Sequence, residues 1–302
     1  MIPMITSICH GPLKVCQLPR TWWKVLLRKT GLLDEEYPDF SGGLDSRVLE
    51  VLELDKETTL AYLRDNRPDY LTFENWVLEQ KDGAFNLELQ DAVIRWNASL
   101  RARIHRPSKI EETYNDIGLA PDAGITSAPL LNSLQDWQLF YKRDLNSGFA
   151  ERLGGRVVPL VANFDSGPLG VCQIPRTWYK ILLKSRGLLH PDYPDMTENG
   201  LDPRALKVVN VDIDASLAFI RDNSASYPEF EAWILEQNGG ELDQAPINEW
   251  NDYIRNRVHK EGKVADIHNT LGLENDWTFT SATLLNQTED WYLAYQDLMN
   301  NN

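Results

Sequence analysis

The sequence predicts a mainly α protein: two repeated helical domains related by pseudo-twofold symmetry, with short extended N-terminal arms. Three observations carry this expectation. The run Gly11-Pro12-Leu13-Lys14-Val15-Cys16-Gln17-Leu18-Pro19-Arg20-Thr21-Trp22 returns as Gly167-Pro168-Leu169-Gly170-Val171-Cys172-Gln173-Ile174-Pro175-Arg176-Thr177-Trp178, and the copy continues to the C-terminus. Self-similarity on this scale means two like structural units. Apolar residues then recur at helical spacing, as in Leu130, Leu134, Trp137, Tyr141 and Leu145, which places them on one helix face. Finally, only residues 1–8 and 156–164 read as extended.

Residues 1–145 make the first domain, 146–157 a linker punctuated by Gly148, Gly154 and Gly155, and 158–302 the second domain. Each arm is aliphatic with a proline, the second rich in valine, which suits edge strands or simple extended segments. They are placed to pair with each other or to cross onto the other repeat. Residues 19–30 follow as a helix, with Pro19 at a favoured first position and Gly31 at the stop. Asp45 and Asp202 each follow glycine-leucine and are expected to cap the next helix, which in the first repeat carries Val48, Leu49 and Leu52. Residues 60–65 and 73–80 give two short helices, and 89–105 a longer one. Ser108 and Glu111 match a capping box for a helix that stops at Gly118. The last helix carries the Leu-Trp-Tyr face, which the second repeat keeps in Leu284, Trp291, Tyr295 and Leu298.

Composition narrows the partners. With 302 residues and about 150 per domain, two domains are expected, and ten Trp, eleven Tyr and nine Phe suffice for two cores. Forty-five acids against thirty bases give a net charge of −15, a surface that repels phosphate backbones and anionic leaflets. Neither a nucleic acid nor a membrane is an expected partner. No apolar run approaches the ~18 residues of a membrane span, and the N-terminus lacks the charged and apolar regions of a signal peptide. Three cysteines cannot all pair, so a reduced, cytoplasmic location is expected. No His or Cys spacing suggests a metal, and no phosphate loop suggests a cofactor.

The candidate functional residues are those the repeat preserves. Arg20, Lys24 and Arg28 stand four apart, and Arg176, Lys180 and Lys184 repeat them. Arg28 and Lys184 suit the last turn of a helix, but Arg20 and Arg176 sit in the first turn, where the dipole opposes a cation. They require a carboxylate partner or an anionic ligand. A second constellation, Trp96-Asn97-x-x-x-Arg101-x-Arg103, returns as Trp250-Asn251-x-x-x-Arg255-x-Arg257. On a continuous helix the two arginines would point to opposite sides, so one of each pair should be buried against an acid. Repeated acids on offer include Asp39/Asp195, Glu74/Glu231 and Glu79/Glu236. His105 and His259 are expected near the end of that helix, and Cys16 and Cys172 just before the first one. Trp23, opposite Tyr179, and Trp277 break the tryptophan pairing, and such differences are where two copies would specialise.

With Arg20, Lys24, Tyr37, Leu44-Asp45 and Trp76, the Trp-Asn-Arg-Arg helix resembles a family of small bacterial domains of unknown function, the 5069 type. The second repeat matches through Arg176, Lys180, Tyr193, Leu201-Asp202, Trp233, Trp250, Asn251, Arg255 and Arg257. The chain departs from that pattern by being duplicated, and by Trp23 and Tyr179 where the family has an acid before the lysine. The resemblance implies fold and boundaries and transfers no activity. Two functional expectations follow from the residues themselves. One is a binding or accessory module for a small anionic ligand or protein partner, using Arg20, Lys24, Asn97, Arg101, Arg176, Lys180, Asn251 and Arg255. The other is an enzyme acting on a small carboxylated or phosphorylated substrate, with Asp45/Asp202 or Glu79/Glu236 as acid or base and Tyr37/Tyr193 as proton donor. A purely structural role for every polar match is the third reading.

Overall fold

A computed structural model of the chain describes residues 1–197, 199–273 and 279–302. Among these the regular elements are all helices, and the only β pairings are three isolated bridges, such as Ile104 with Ser127 and Val258 with Ser281. The first half runs through α1 (Leu18–Lys29), α2 (Leu44–Val51), α3 (Lys56–Asn66), α4 (Tyr70–Glu79), α5 (Leu87–Arg101), α6 (Pro107–Ile117) and α7 (Ala128–Arg143). The second follows with α8 (Ile174–Ser185), α9 (Leu201–Val208), α10 (Ile213–Asn223), α11 (Tyr227–Gln237), α12 (Gln244–Asn256), α13 (Glu261–Leu271) and α14 (Ala282–Asn300).

Local chemistry accounts for most helix ends. Asp55, Asp69 and Asn86 cap α3, α4 and α5 by accepting from the backbone N–H groups of Thr58, Thr72 and Leu89. α6 ends where Gly118 turns left-handed at φ +77°. Four expectations need correction. Ser108 does not cap α6: Pro107 already fits its first turn, so the start moves back and Arg106 becomes the N-cap. Asp45 and Asp202 cap nothing, because their carboxylates are drawn to Thr21 and Lys24 of α1 and to Thr177 and Lys180 of α8. α5 stops at Arg101, so His105 lies beyond it, its N–H on Thr126 O and its ring on Asn132. The arms, finally, are extended but form no ladder.

What holds the arms is arginine. Arg20 Nη1 donates to Pro3 O and Ile5 O, both at 2.7 Å, and Arg176 Nη1 donates to Pro159 O and Val161 O at the same distance. Residues 1–7 and 157–163 are buried. The arms also meet: Thr6 Oγ1 donates to Asp165 Oδ1 at 3.0 Å.

One large apolar cluster runs through both halves, rather than two separate cores. Its seam is aromatic and reciprocal. Trp291 of α14 stands edge-on to Tyr70 of α4 with ring centroids 4.8 Å apart, and Trp137 of α7 stands edge-on to Tyr227 of α11, also at 4.8 Å. The connecting segment belongs to this interior too, since Phe149, Ala150 and Leu153 are buried and Phe149 meets Phe140 edge-on. No described helix is long and apolar enough to cross a membrane.

Candidate functional site

The cationic line of α1 faces inward. Lys24 Nζ approaches Asp45 Oδ2 at 2.5 Å, while Gln17 Nε2 and Thr21 Oγ1 donate to Asp45 Oδ1 at 2.8 and 2.6 Å, and the Ser41 N–H completes the set. Burial alone would raise the Asp45 pKa; the Lys24 ammonium and these donors overcome it and hold the carboxyl below its usual range. Arg20 forks onto Asp136, with Nη1 to Oδ2 at 2.7 Å and Nη2 to Oδ1 at 3.2 Å. The Tyr37 hydroxyl donates to Asp136 Oδ1 at 2.6 Å. Burial disfavours the Arg20 charge, but Asp136 outweighs it and the guanidinium pKa rises. The second half repeats both knots: Lys180, Gln173 and Thr177 on Asp202, Arg176 and Tyr193 on Asp290. Asp136 and Asp290 escaped the sequence reading. The signal was present, since each directly precedes a repeated tryptophan, Trp137 or Trp291.

These knots line two matched pockets, of about 570 Å³ in the first half and about 400 Å³ in the second. Gln17 and Gln173, which open α1 and α8, hold φ of +75° and +77°. Such a backbone is costly for a residue with a Cβ, and it is often found where a side chain must be presented to a site. The groups in these pockets are poor proton carriers. Asp45 is saturated with donors. Burial and Asp136 push the Tyr37 hydroxyl far above its normal pKa, so it stays protonated and donating. Glu79 and Glu236, at the far ends of α4 and α11, are exposed and line neither pocket.

Asn97 and Asn251 are clamps on the turn before the first helix of each half. Asn97 Oδ1 accepts from Cys16 N at 2.9 Å and its Nδ2 donates to Lys14 O at 2.6 Å, while Trp96 Nε1 donates to Cys16 O at 3.0 Å. Asn251 and Trp250 hold Cys172 and Gly170 in the same way. The cysteines are buried, with burial raising the Cys16 and Cys172 thiols to about 11, so a reactive thiolate is disfavoured. Trp23 and Tyr179 are core residues, at 1% and 0% exposure; Trp277 lies outside the described residues.

Arg101 and Arg255 depart from expectation in a different way. Neither they nor Arg103 and Arg257 pair with a carboxylate among the described residues. Because α5 ends at Arg101 and α12 at Asn256, Arg103 and Arg257 leave the helix and the opposite-face argument lapses. Arg101 and Arg255 instead converge on one cleft of about 470 Å³ between the halves, together with Lys14 and His10. Lys14 reaches it from a left-handed position, φ +60°, where the second half has Gly170. Burial lowers the His10 pKa, and Arg101 and Lys14 lower it further. Among the described residues no three His, Cys, Asp or Glu groups converge to suit a metal. Compared with known proteins, the chain matches no family model, no curated protein and no solved structure.

Proposed function

We propose that the protein is a binding module for a small anion, taken up in the cleft between its halves. The observation that carries this reading is the meeting of Arg101, Arg255, Lys14 and His10 in one concavity, in a chain of net charge −15. Arg20, Lys24, Arg176 and Lys180 are each matched to an acid within the protein. The cleft cations have no such match among the described residues, and an external anion would give them more than solvation. Guanidinium groups fit carboxylate and phosphate oxygens two at a time, so a di- or trianion bridging the two arginines is the favoured class. The locked proton of Tyr37 and the donor-saturated carboxylate of Asp45 weigh against an acid–base enzyme in the flanking pockets.

Inorganic sulfate is a suitable probe because its charge is constant over the pH range concerned. At about ten times its dissociation constant it would stabilise the native state by about 1.4 kcal/mol. The expected outcome is a rise in melting temperature beyond that in chloride of equal ionic strength, lost in Arg101→Ala/Arg255→Ala. Both side chains are exposed, so the double variant keeps its fold. A bound anion offsets the charges that depress His10, so its pKa rises on binding and a proton is taken up. Affinity should therefore increase as pH falls through the His10 range, and His10→Gln should remove that dependence. An unchanged response in the double variant would refute the reading.

A further inference from the structure

The two matched pockets share a frame and differ in one member. In the second half His259 Nε2 donates to Asn286 Oδ1 at 2.7 Å, Asn286 Nδ2 to Asn163 Oδ1 at 3.0 Å, and Asn163 Nδ2 to Gln173 Oε1 at 2.7 Å. Gln173 passes the chain on to Asp202. In the first half His105 donates to Asn132 Oδ1 at 2.9 Å and Gln17 donates to Asp45, but Ser7 occupies the place of Asn163. The shorter side chain bridges neither neighbour. Gln17 is 2% exposed, and among the described residues its Oε1 has no partner and Asn132 Nδ2 makes no hydrogen bond. The pocket is also the larger of the two, about 570 against 400 Å³.

The orientation of the Gln17 amide is fixed. Its Nε2 donates to the Asp45 carboxylate, and a flip would set two oxygens against each other. The pocket therefore offers one deep acceptor and, across from it, one donor. Its charges select against ions. Lys24 and Arg20 are neutralised by Asp45 and Asp136; at the rim Glu36, Glu112 and Asp116 outnumber Lys109, which repels an anion. A cation at Gln17 Oε1 would approach the Lys24 ammonium, which shares Asp45 with Gln17.

We propose that the first-half pocket binds a small neutral carboxamide. Its N–H donates to Gln17 Oε1 and its carbonyl accepts from Asn132 Nδ2, as the Asn163 side chain does between Gln173 and Asn286. The buried and unpaired Gln17 Oε1 supplies the driving force, and the half-buried Asn132 amide sets the orientation. The site is separate from the basic cleft, and loss of anion binding in the arginine variant leaves it untouched.

The test uses the intact chain with propionamide as probe, followed through the side-chain amide resonances of Gln17 and Asn132. Propionate, which lacks the donor and carries charge, and butanone, which only accepts, are the controls. Propionamide is expected to shift both resonances in a saturable way, and the controls are not. Ser7→Asn should abolish the response and raise the melting temperature by supplying the bridging amide from within. Asn163→Ser should transfer the response to Gln173, and it carries the test alone if Ser7→Asn does not fold. No saturable shift, an equal shift with butanone or propionate, or an undiminished shift in folded Ser7→Asn would each overturn the proposal.

Discussion

Burial raises the Glu74 and Glu231 carboxyls to a pKa of about 8, each with a tyrosine hydroxyl donating to it and no cation beside it. In the unfolded chain they titrate near the ordinary glutamate value of about 4.3. Between these limits the native state binds more protons than the unfolded state, so stability is full at low pH and falls as pH rises through the native pKa. Glu74→Gln should flatten that slope. Urea unfolding near pH 5 and near pH 8 should show the wild type losing on the order of a few kcal/mol more than the variant across the interval; equal losses would refute the assignment. Such residues are hard to read from a sequence, where Glu74 looks like any repeated acid. Arg20 and Arg176 were legible as cations with a missing partner because the first turn disfavours them. Their partners were not, since Asp136 lies 116 residues from Arg20.

At the scale of elements, the turn before α1 depends on residues far along the chain. Trp96 and Asn97 satisfy the backbone of Cys16 and Lys14, and Gly11 lets the same loop press on α4. A Cβ at Gly11 would strike the Tyr70 ring and the Glu74 carboxylate, and one at Gly167 would strike Tyr227 and Glu231. Asn97→Ala should cost about 1–3 kcal/mol by leaving a donor and an acceptor unpaired. It should also weaken sulfate binding, because Lys14 and His10 ride on that turn; unaltered sulfate affinity in a destabilised variant would separate the clamp from the cleft. The helices themselves were legible from apolar spacing and from stops such as Gly31 and Gly118. Their purposes were less so. Asn97 has the chemistry of a ligand-binding amide, and only its distance from Cys16 and Lys14 in space reveals a clamp. Ser108 has the chemistry of a cap, but Pro107 sets the helix start.

At the scale of the whole molecule, the largest side chains cross between halves, so the two halves are expected to unfold as one cooperative body. Trp137→Ala should cost about 3–5 kcal/mol, as removal of a buried tryptophan does, and should destabilise the second half no less than the first. Circular dichroism and tryptophan fluorescence should follow a single coincident unfolding transition in the wild type. Two resolved transitions would contradict the shared core. The sequence reading expected two cores because spacing reveals that a helix has an apolar face and is silent about which neighbour covers it. The basic cleft has the same origin: each half contributes one arginine, and neither half alone shows the pair.

In α7 and α14 adjacent residues look in different directions, Asp136 and Asp290 to an arginine of their own half, Trp137 and Trp291 to a tyrosine of the other. A homodimer of one half could make all of these contacts, the Asp–Arg pairs within each subunit and the Trp–Tyr pairs between identical subunits. It would then be obliged to carry the same residue at both copies of every position, and an asparagine that narrows one pocket would narrow both. Joining the halves in a single reading frame lifts that obligation. One gene can hold Asn163 where it braces the frame and Ser7 where it opens it, so one copy keeps the scaffold while the other is free to evolve.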